Sequence, residues 1–270
     1  MTVRRPSSKP SLRCASKLTG QAGRSRRNPS GRVPLTGSLA AGRRWPRTFP
    51  EGRALQETLR RRVRIGPLRG RIRRVAGCDV SFERSCGKLF AAVVVFDWPE
   101  LDRVEMATAV GEADFPYVPG YLSFREGPVL EKAYEKLERR PDLVIFDGQG
   151  LAHPRRFGLA SHLGVVWRVP AIGCAKTRLV GTFREPGARK GSFSPLRDGR
   201  EVIGSVCRTR DGVKPVFVSP GHRIDHAGAR RWVLETATRY RLPEPIRAAH
   251  REVNVLRRAW IARFRPDLGR

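Results

Sequence analysis

Three carboxylates in this 270-residue chain stand where chemistry rather than solvation explains them best. Asp79 sits inside an apolar run, Val75-Ala76-Gly77-Cys78-Asp79-Val80. A carboxylate inside such a strand is costly to bury unless it is paired or holds a cation. Asp147 ends the short apolar segment Asp142 to Phe146 and is followed by Gly148-Gln149-Gly150. Ligands gather at the carboxyl ends of strands in open α/β sheets, although Asp-Gly is also an ordinary turn. Glu126 lies in the first turns of a predicted helix, where a glutamate is usually solvated; it gains interest from the other two. Together they would form a hard oxygen site suited to magnesium, with manganese as a substitute. Such ions lower the pKa of an attacking water and stabilise a leaving oxygen, which is the chemistry of phosphodiester cleavage.

Lys176 follows a strand in Gly173-Cys174-Ala175-Lys176, a position from which an ammonium can meet a phosphate. Two histidines compete for the role of proton shuttle or last ligand: His250 on a predicted C-terminal helix and His222 in a Pro-Gly loop. Tyr117 stands in Phe115-Pro116-Tyr117-Val118-Pro119-Gly120, where Pro116 and Pro119 forbid helix or central strand and stiffen the turn. An aromatic on such a platform can unstack bases, or it can simply close a turn in the core. Gly148 and Gly150 leave backbone bare beside Asp147, open to a base edge or needed for a tight turn.

The elements that must hold these groups follow from periodicity. Residues 51–64 read as a first helix, and Val75 to Phe82, Leu89 to Trp98 and Val104 to Glu112 as a three-strand meander. Tyr121 to Arg139 reads as a long amphipathic helix, Asp142 to Phe146 as a buried parallel strand, and Arg156 to Trp167 as a helix before a strand at Ala171 to Ala175. Glu201 to Cys207 and Pro215 to Ser219 flank an Asp211-Gly212 turn, with Ser219 to His222 as a loop. Two helices close the chain, Asp225 to Tyr240 and Pro245 to Arg263. This order predicts an α/β fold, a ribonuclease H-like three-layer sandwich with a mixed central sheet.

Charge points to the partner. The formal net charge is +29, and residues 1–50 carry twelve Lys or Arg and no acid. Their Ser, Pro and Gly content cannot bury enough surface to offset chain entropy, so 1–50 is expected to be a disordered basic extension, with 51–270 as the catalytic domain. It would be an arm on nucleic acid, an Arg-rich targeting segment or an idle tail. Residues 51–270 still hold 42 basic and 25 acidic residues, a net of +17. A polyanion is the natural partner, while the 46 Arg against 8 Lys also reflect a GC-rich codon bias. The longest apolar run, Leu89 to Trp98, falls short of the roughly 20 residues a membrane helix needs, so no membrane partner is expected. Five scattered cysteines, none in a Cys-x-x-Cys pair, fit neither a zinc site nor a disulfide framework and point to a reducing, cytoplasmic setting. A monomer is the working expectation.

Six segments in order carry a resemblance: Val75 to Phe82 (VAGCDVSF), Phe115 to Glu126 (FPYVPGYLSFRE), Val144 to Gly164, Ile172 to Phe183, Arg208 to His222 and Pro243 to His250 (PEPIRAAH). Together they resemble endonuclease V, over about Arg53 to Val253. The resemblance implies a ribonuclease H-like fold and hydrolysis of the second phosphodiester bond 3′ to deoxyinosine in DNA, leaving 3′-hydroxyl and 5′-phosphate ends. It matches Asp79 and Asp147 to metal-binding aspartates, Glu126 to the catalytic glutamate, and Tyr117 to the aromatic of a strand-separating wedge. It also matches Lys176 to a lysine near the scissile phosphate, and Leu122, His153 and the glycines to the base pocket. His250 falls where some members place an active-site histidine and others an aspartate. Two alternatives stay open: cleavage of inosine-containing RNA, and a protein that binds nucleic acid without cutting it.

Overall fold

The computed structural model describes residues 45–264. Among them run the helix α1 (Phe49–Arg60), three strands β1 (Arg74–Glu83), β2 (Lys88–Asp97) and β3 (Arg103–Glu112), and the helix α2 (Leu122–Tyr134). Then come β4 (Leu143–Phe146), α3 (Leu159–Trp167) and β5 (Ala171–Ala175). The remainder is β6 (Phe193–Asp198), β7 (Glu201–Cys207), β8 (Val216–His222), α4 (His226–Thr236) and α5 (Glu244–Phe264). The strands form one sheet in the order β3-β2-β1-β4-β5-β8-β7-β6. β1, β4 and β5 run parallel at its centre, and the remaining pairings are antiparallel, so the sheet is mixed as expected.

Alternation in the strands builds three layers. Ala76, Cys78, Val144 and Phe146 share a core with Val129, Leu130 and Ala133 of α2 and Leu159, Ala160 and Leu163 of α3. Val75, Leu143, Ile145, Ile172 and Cys174 share the opposite core with Ala229 and Val233 of α4 and Ile246 and Ala249 of α5. Side chains one residue apart on a strand point to opposite faces, and in the central strands both faces are buried. This is the ribonuclease H-like α/β arrangement. Among the described residues no helix is long and apolar enough to cross a membrane.

The structure departs from the sequence reading in four places. First, the folded body begins before residue 50. Thr48 caps α1 and forms a reciprocal capping box with Glu51, while Trp45 donates from Nε1 to Glu131 at 2.9 Å and packs edge-on against Phe124. Gly127 leaves room for that indole, since a Cβ there would lie 2.4 Å from it. Residues 45–50 thus belong to the domain, and the expected disorder of 1–44 lies outside the described residues. Second, the structure adds β6, an edge strand carrying Pro195 and charged residues, which weaken a strand pattern and protect an edge.

Third, Ser219 to His222 is the end of β8 rather than a loop. A register shift beside Pro220 lets the proline join the sheet, and a Cβ on Gly221 would lie 2.8 Å from Ala160. Small residues here serve close packing under α3 rather than a turn. Fourth, the helices expected at 121–139, 156–167 and 225–240 span only Leu122–Tyr134, Leu159–Trp167 and His226–Thr236. The residues before α3 instead form a long loop from Asp147, ending on Gly158.

Candidate active site

Asp79, Asp147 and Lys176 come from three neighbouring central strands. β1 and β4 are in parallel register with Cys78 opposite Phe146, and the Asp147 amide donates to the Cys78 carbonyl at 3.2 Å. One step further along, Asp79 and Asp147 lie beside each other. The alternation that buries Val75, Leu143 and Ile145 under α4 and α5 puts both carboxylates on that same face. Lys176 follows Cys174 by two residues, on the face of Ile172 and Cys174, and its ammonium donates to Asp147 Oδ2. Parallel strand ends packed edge to edge thus gather two acids and a base.

α5 completes the centre. Gly77 carries no side chain because the backbone of α5 rests on it: a Cβ would stand 2.1 Å from the Pro245 carbonyl. The contact sets the helix down on β1, and His250, on the same helix, meets Asp79, two residues beyond Gly77. His250 Nδ1 lies 2.7 Å from Asp79 Oδ2, and Asp79 Oδ1 accepts from the Val80 amide at 2.9 Å. One turn on, the Asn254 amide nitrogen stands 3.3 Å from His250 Nε2 and donates to the His250 carbonyl at 2.8 Å. With Asn254 donating to Nε2, the imidazole carries its proton on Nδ1, toward the carboxylate.

The electrostatics are those of crowded anions. Burial, then the charge of Asp147, pushes Asp79 up to about 6, against the lowering effects of His250 and Lys176. Burial pushes Glu126 well above the ordinary glutamate value, and the charges of both Asp79 and Asp147 add to it. Glu126 stands on the first turns of α2, within reach of the charge of both aspartates. Burial pulls the Lys176 ammonium down, but Asp147 and Asp79 outweigh it and hold its pKa above the usual lysine value.

A hard divalent cation fits these donors. Among the described residues no three His, Cys, Asp or Glu side chains form a ready-made metal cage. Magnesium is commonly held by one or two carboxylates, waters and substrate phosphate oxygens, and the adjacent Asp79 and Asp147 supply carboxylates of that kind.

The remaining expected residues lie on the turn before α2, on the loop after Asp147 and on β8. Tyr117 is 71% exposed, and Pro116 and Pro119 beside it are exposed too. The turn beneath is fixed: Phe115 is buried in contact with Phe49, Tyr121 and Phe124, and its carbonyl accepts from Arg125 at 2.9 Å. Leu122, half-buried, opens α2 directly after this turn. His153 is buried at the far side of the Asp147 loop, with Nδ1 accepting from the Arg155 amide at 3.1 Å and Nε2 3.1 Å from the Gly120 carbonyl. An N–H can only donate, so Nδ1 is bare and Nε2–H faces Gly120. Burial and the charge of Arg155 push this histidine down to about 4, which keeps it neutral.

Gly148 packs against Leu159, and Gly150 fits where a Cβ would lie 2.2 Å from the Pro220 carbonyl. The Gly150 amide donates to Ser219 Oγ at 2.8 Å and its carbonyl accepts from Gly158. His222 is buried on β8 and accepts at Nδ1 from the Arg64 amide at 3.3 Å; of the two histidines, His250 is the one brought to a carboxylate.

Three residues that sequence reading passed over hold the centre in place. Gln149 is buried and donates to the Thr177 carbonyl at 3.0 Å, tying the Asp147 loop to the segment after Lys176. Arg241 donates to the carbonyl of Lys176 at 2.9 Å and of Pro215 at 2.8 Å. Asn254 was legible as the i+4 neighbour of His250; the other two carry no local signal.

Comparison with known proteins agrees with this picture. The family profile of Endonuclease V matches residues 57–251. Endonuclease V of Alkalilimnicola ehrlichii is 52% identical over 215 residues, covering 79% of this chain and 95% of its own. The crystal structure of Endonuclease V from Streptomyces avermitilis superposes with a TM-score of 0.76 at 46% identity, over 80% of this chain and 96% of that one. Endonuclease V of Ciona intestinalis, in complex with a 24mer DNA containing an inosine followed by a ribo-adenosine, gives 0.70 at 28% identity, over 78% and 98%.

Proposed function

Since the chain belongs to the endonuclease V family and is a nuclease, we propose that it cuts DNA at the second phosphodiester bond 3′ to deoxyinosine, leaving 3′-hydroxyl and 5′-phosphate ends, with magnesium or manganese as cofactor. The observation that carries the reading is the placement of Asp79 on β1 beside Asp147 at the end of β4, with Lys176 bonded to Asp147 and the charges of both aspartates felt at Glu126. A centre of this kind handles a phosphodiester, because its acids recruit a cation and its lysine meets the anionic substrate.

Asp79, Asp147 and Glu126 would hold the metal. When bound, a divalent ion lowers the pKa of water and stabilises a leaving oxygen. The protein's own groups do the rest. Asp147 holds the Lys176 ammonium in place and in its charged form, ready to neutralise charge developing on the phosphate. His250 and the Val80 amide hold both oxygens of Asp79, so its orientation is settled before substrate arrives. Glu126, its pKa raised by burial and by the charges of the two aspartates, is suited to hold a proton beside the phosphate. Tyr117, displayed on its rigid turn, is suited to enter the base stack and separate the strands beside the lesion. Leu122, Gly148, Gly150 and His153 would frame the extruded base.

The Ciona relative's complex, in which a ribo-adenosine follows the inosine, favours one second reading: cleavage beside inosine in RNA. A cytoplasmic setting is consistent with four cysteines that are all free among the described residues.

The test uses two labelled oligonucleotides, one with a single deoxyinosine in DNA and one with a single inosine in RNA, with magnesium and with chelator. A magnesium-dependent nick one nucleotide beyond the DNA lesion is expected, and a cut in RNA alone would move the function to RNA. Asp147→Ala should abolish the nick, by about a hundredfold or more, while binding persists. Binding without metal-dependent cleavage by the unmodified chain would reduce the protein to a nucleic-acid-binding module.

A further inference from the structure

Three donors from two different parts of the chain converge on one carbonyl at the end of the Tyr117 turn. The Gly120 oxygen accepts from Gln56 Nε2 at 3.0 Å, from Arg155 Nη2 at 2.7 Å and from His153 Nε2 at 3.1 Å. Gln56 is a fully buried glutamine on α1, and its Oε1 accepts from Arg155 Nε. The Arg155 guanidinium also lies 4.4 Å from the ring centroid of Tyr121. Gly120 itself has φ +85, a conformation that turns its carbonyl out of the ordinary path and that an L side chain would adopt only with strain. A Cβ there would lie 3.1 Å from Arg155 Nη2.

A carbonyl has two lone pairs, so three donors at one oxygen are more than stability of a surface turn asks for. Their origins matter more than their number. His153 and Arg155 follow Asp147 on the catalytic loop, Gln56 comes from α1, and Gly120 ends the turn that displays Tyr117. Arg155 is therefore the joint between the catalytic loop and the wedge turn, with Gln56 orienting its guanidinium.

We propose that Arg155, oriented by Gln56, is a positioning residue for the Tyr117 turn, and that it governs strand separation at the lesion rather than the cleavage step. The proposal rests on the reading that this chain nicks DNA beside deoxyinosine. A guanidinium that both bonds Gly120 and stacks on Tyr121 keeps the turn at one height and angle above the Asp147 loop. Without it Tyr117 stays exposed but loses its fixed approach to the duplex. Single-stranded DNA has no pairs to separate, so cutting it needs no wedge.

The experiment measures kcat/KM of the full chain on duplex and single-stranded DNA of one sequence, each with a single deoxyinosine. Arg155→Met keeps the stem and removes the donors. It should lower the duplex rate about tenfold, the equivalent of one hydrogen bond to a charged group. The single-stranded rate should stay within about threefold. Gln56→Met, on a separate element, should show the same selective loss and serves if Arg155→Met fails to fold. Combined with Tyr117→Ala, Arg155→Met should add no more than about twofold to the loss from Tyr117→Ala alone, because both changes act through one turn. Equal losses on both substrates would overturn the proposal, and so would losses that multiply in the double variant, since each marks a general structural role. If the unmodified chain cuts neither substrate, the nuclease reading fails and takes this inference with it; if it cuts both and Arg155→Met loses both alike, the inference alone fails.

Discussion

Replacing Gly77 by alanine tests whether α5 is seated on β1 in order to bring His250 to Asp79. The new Cβ would stand 2.1 Å from both the Pro245 carbonyl carbon and its oxygen, and 2.5 Å from the Ile246 nitrogen. All three obstacles are backbone, so no side chain can swing away. Restoring a separation of 3.0 Å requires the first turn of α5 to lift by about 0.9 Å. His250 follows Pro245 by just over one turn and moves with it, stretching the 2.7 Å contact with Asp79 toward the limit of a hydrogen bond. Overpacking of this kind costs about 1–3 kcal/mol, which for a domain of this size lowers Tm by roughly 2–12 °C. A displacement near 1 Å in a catalytic group costs on the order of a hundredfold in rate. Thermal unfolding and nicking of a deoxyinosine oligonucleotide, on Gly77→Ala and its parent, measure both. A variant within a degree of the parent in Tm and within twofold in rate would refute the idea that this glycine seats the helix. A large loss of Tm with full activity would separate packing from catalysis and leave His250 without the part given to it.

Tyr117→Ala should leave stability within about 0.5 kcal/mol, because the side chain is 71% exposed, yet reduce the preference for deoxyinosine over undamaged duplex. Unchanged discrimination would end the wedge assignment. His153 gives a pH signature. Its pKa falls from the ordinary 6.5 to about 4 on folding, chiefly through burial, so the unfolded chain binds a proton that the fold resists. Stability from this group is therefore intact above pH 6.5 and declines as pH falls from 6.5 to 4, by at most about 3 kcal/mol. Urea unfolding at pH 7.5, 5.5 and 4 should show a steeper acid loss in the parent than in His153→Gln, and parallel curves would contradict this. Affinity for DNA should fall steeply as salt rises, since a net +17 in residues 51–270 implies several phosphate contacts. A flat response would mean that the charge is codon bias and not a binding face.

Much of the candidate centre was legible in one dimension because strand chemistry is local. An acid inside Val75 to Val80, an acid ending Leu143 to Phe146 and a lysine ending Ala171 to Ala175 break apolar patterns that otherwise continue. The two-residue period of a strand also decides which face each takes. The alternating α and β segments then place all three strands in one mixed sheet, as they are found. The capping signal Thr48-x-x-Glu51 stands in the sequence as well and marks a domain start before residue 51.

What the sequence alone could not decide are the meetings between distant segments. Nothing local distinguishes His250 from His222: one is near a helix start and the other in a Ser-Pro-Gly-His string that looks like a loop. Tertiary packing buries His222 at the end of β8 and brings His250 onto Asp79, 171 residues away. Ser219 to His222 looked like a loop because proline and glycine weaken strands in isolation. It is a strand because it pairs with β5, and its glycine is needed because α3 approaches too closely for a larger residue. Glu126 likewise looks like any helical glutamate until the fold brings it within reach of the charge of two aspartates, and Gln56 like any polar helix residue until Gly120 and Arg155 close over it. The reason is the same in each case. Periodicity reports which face a residue takes, whereas the partner on that face is supplied by another element, and only the packed chain brings the two together.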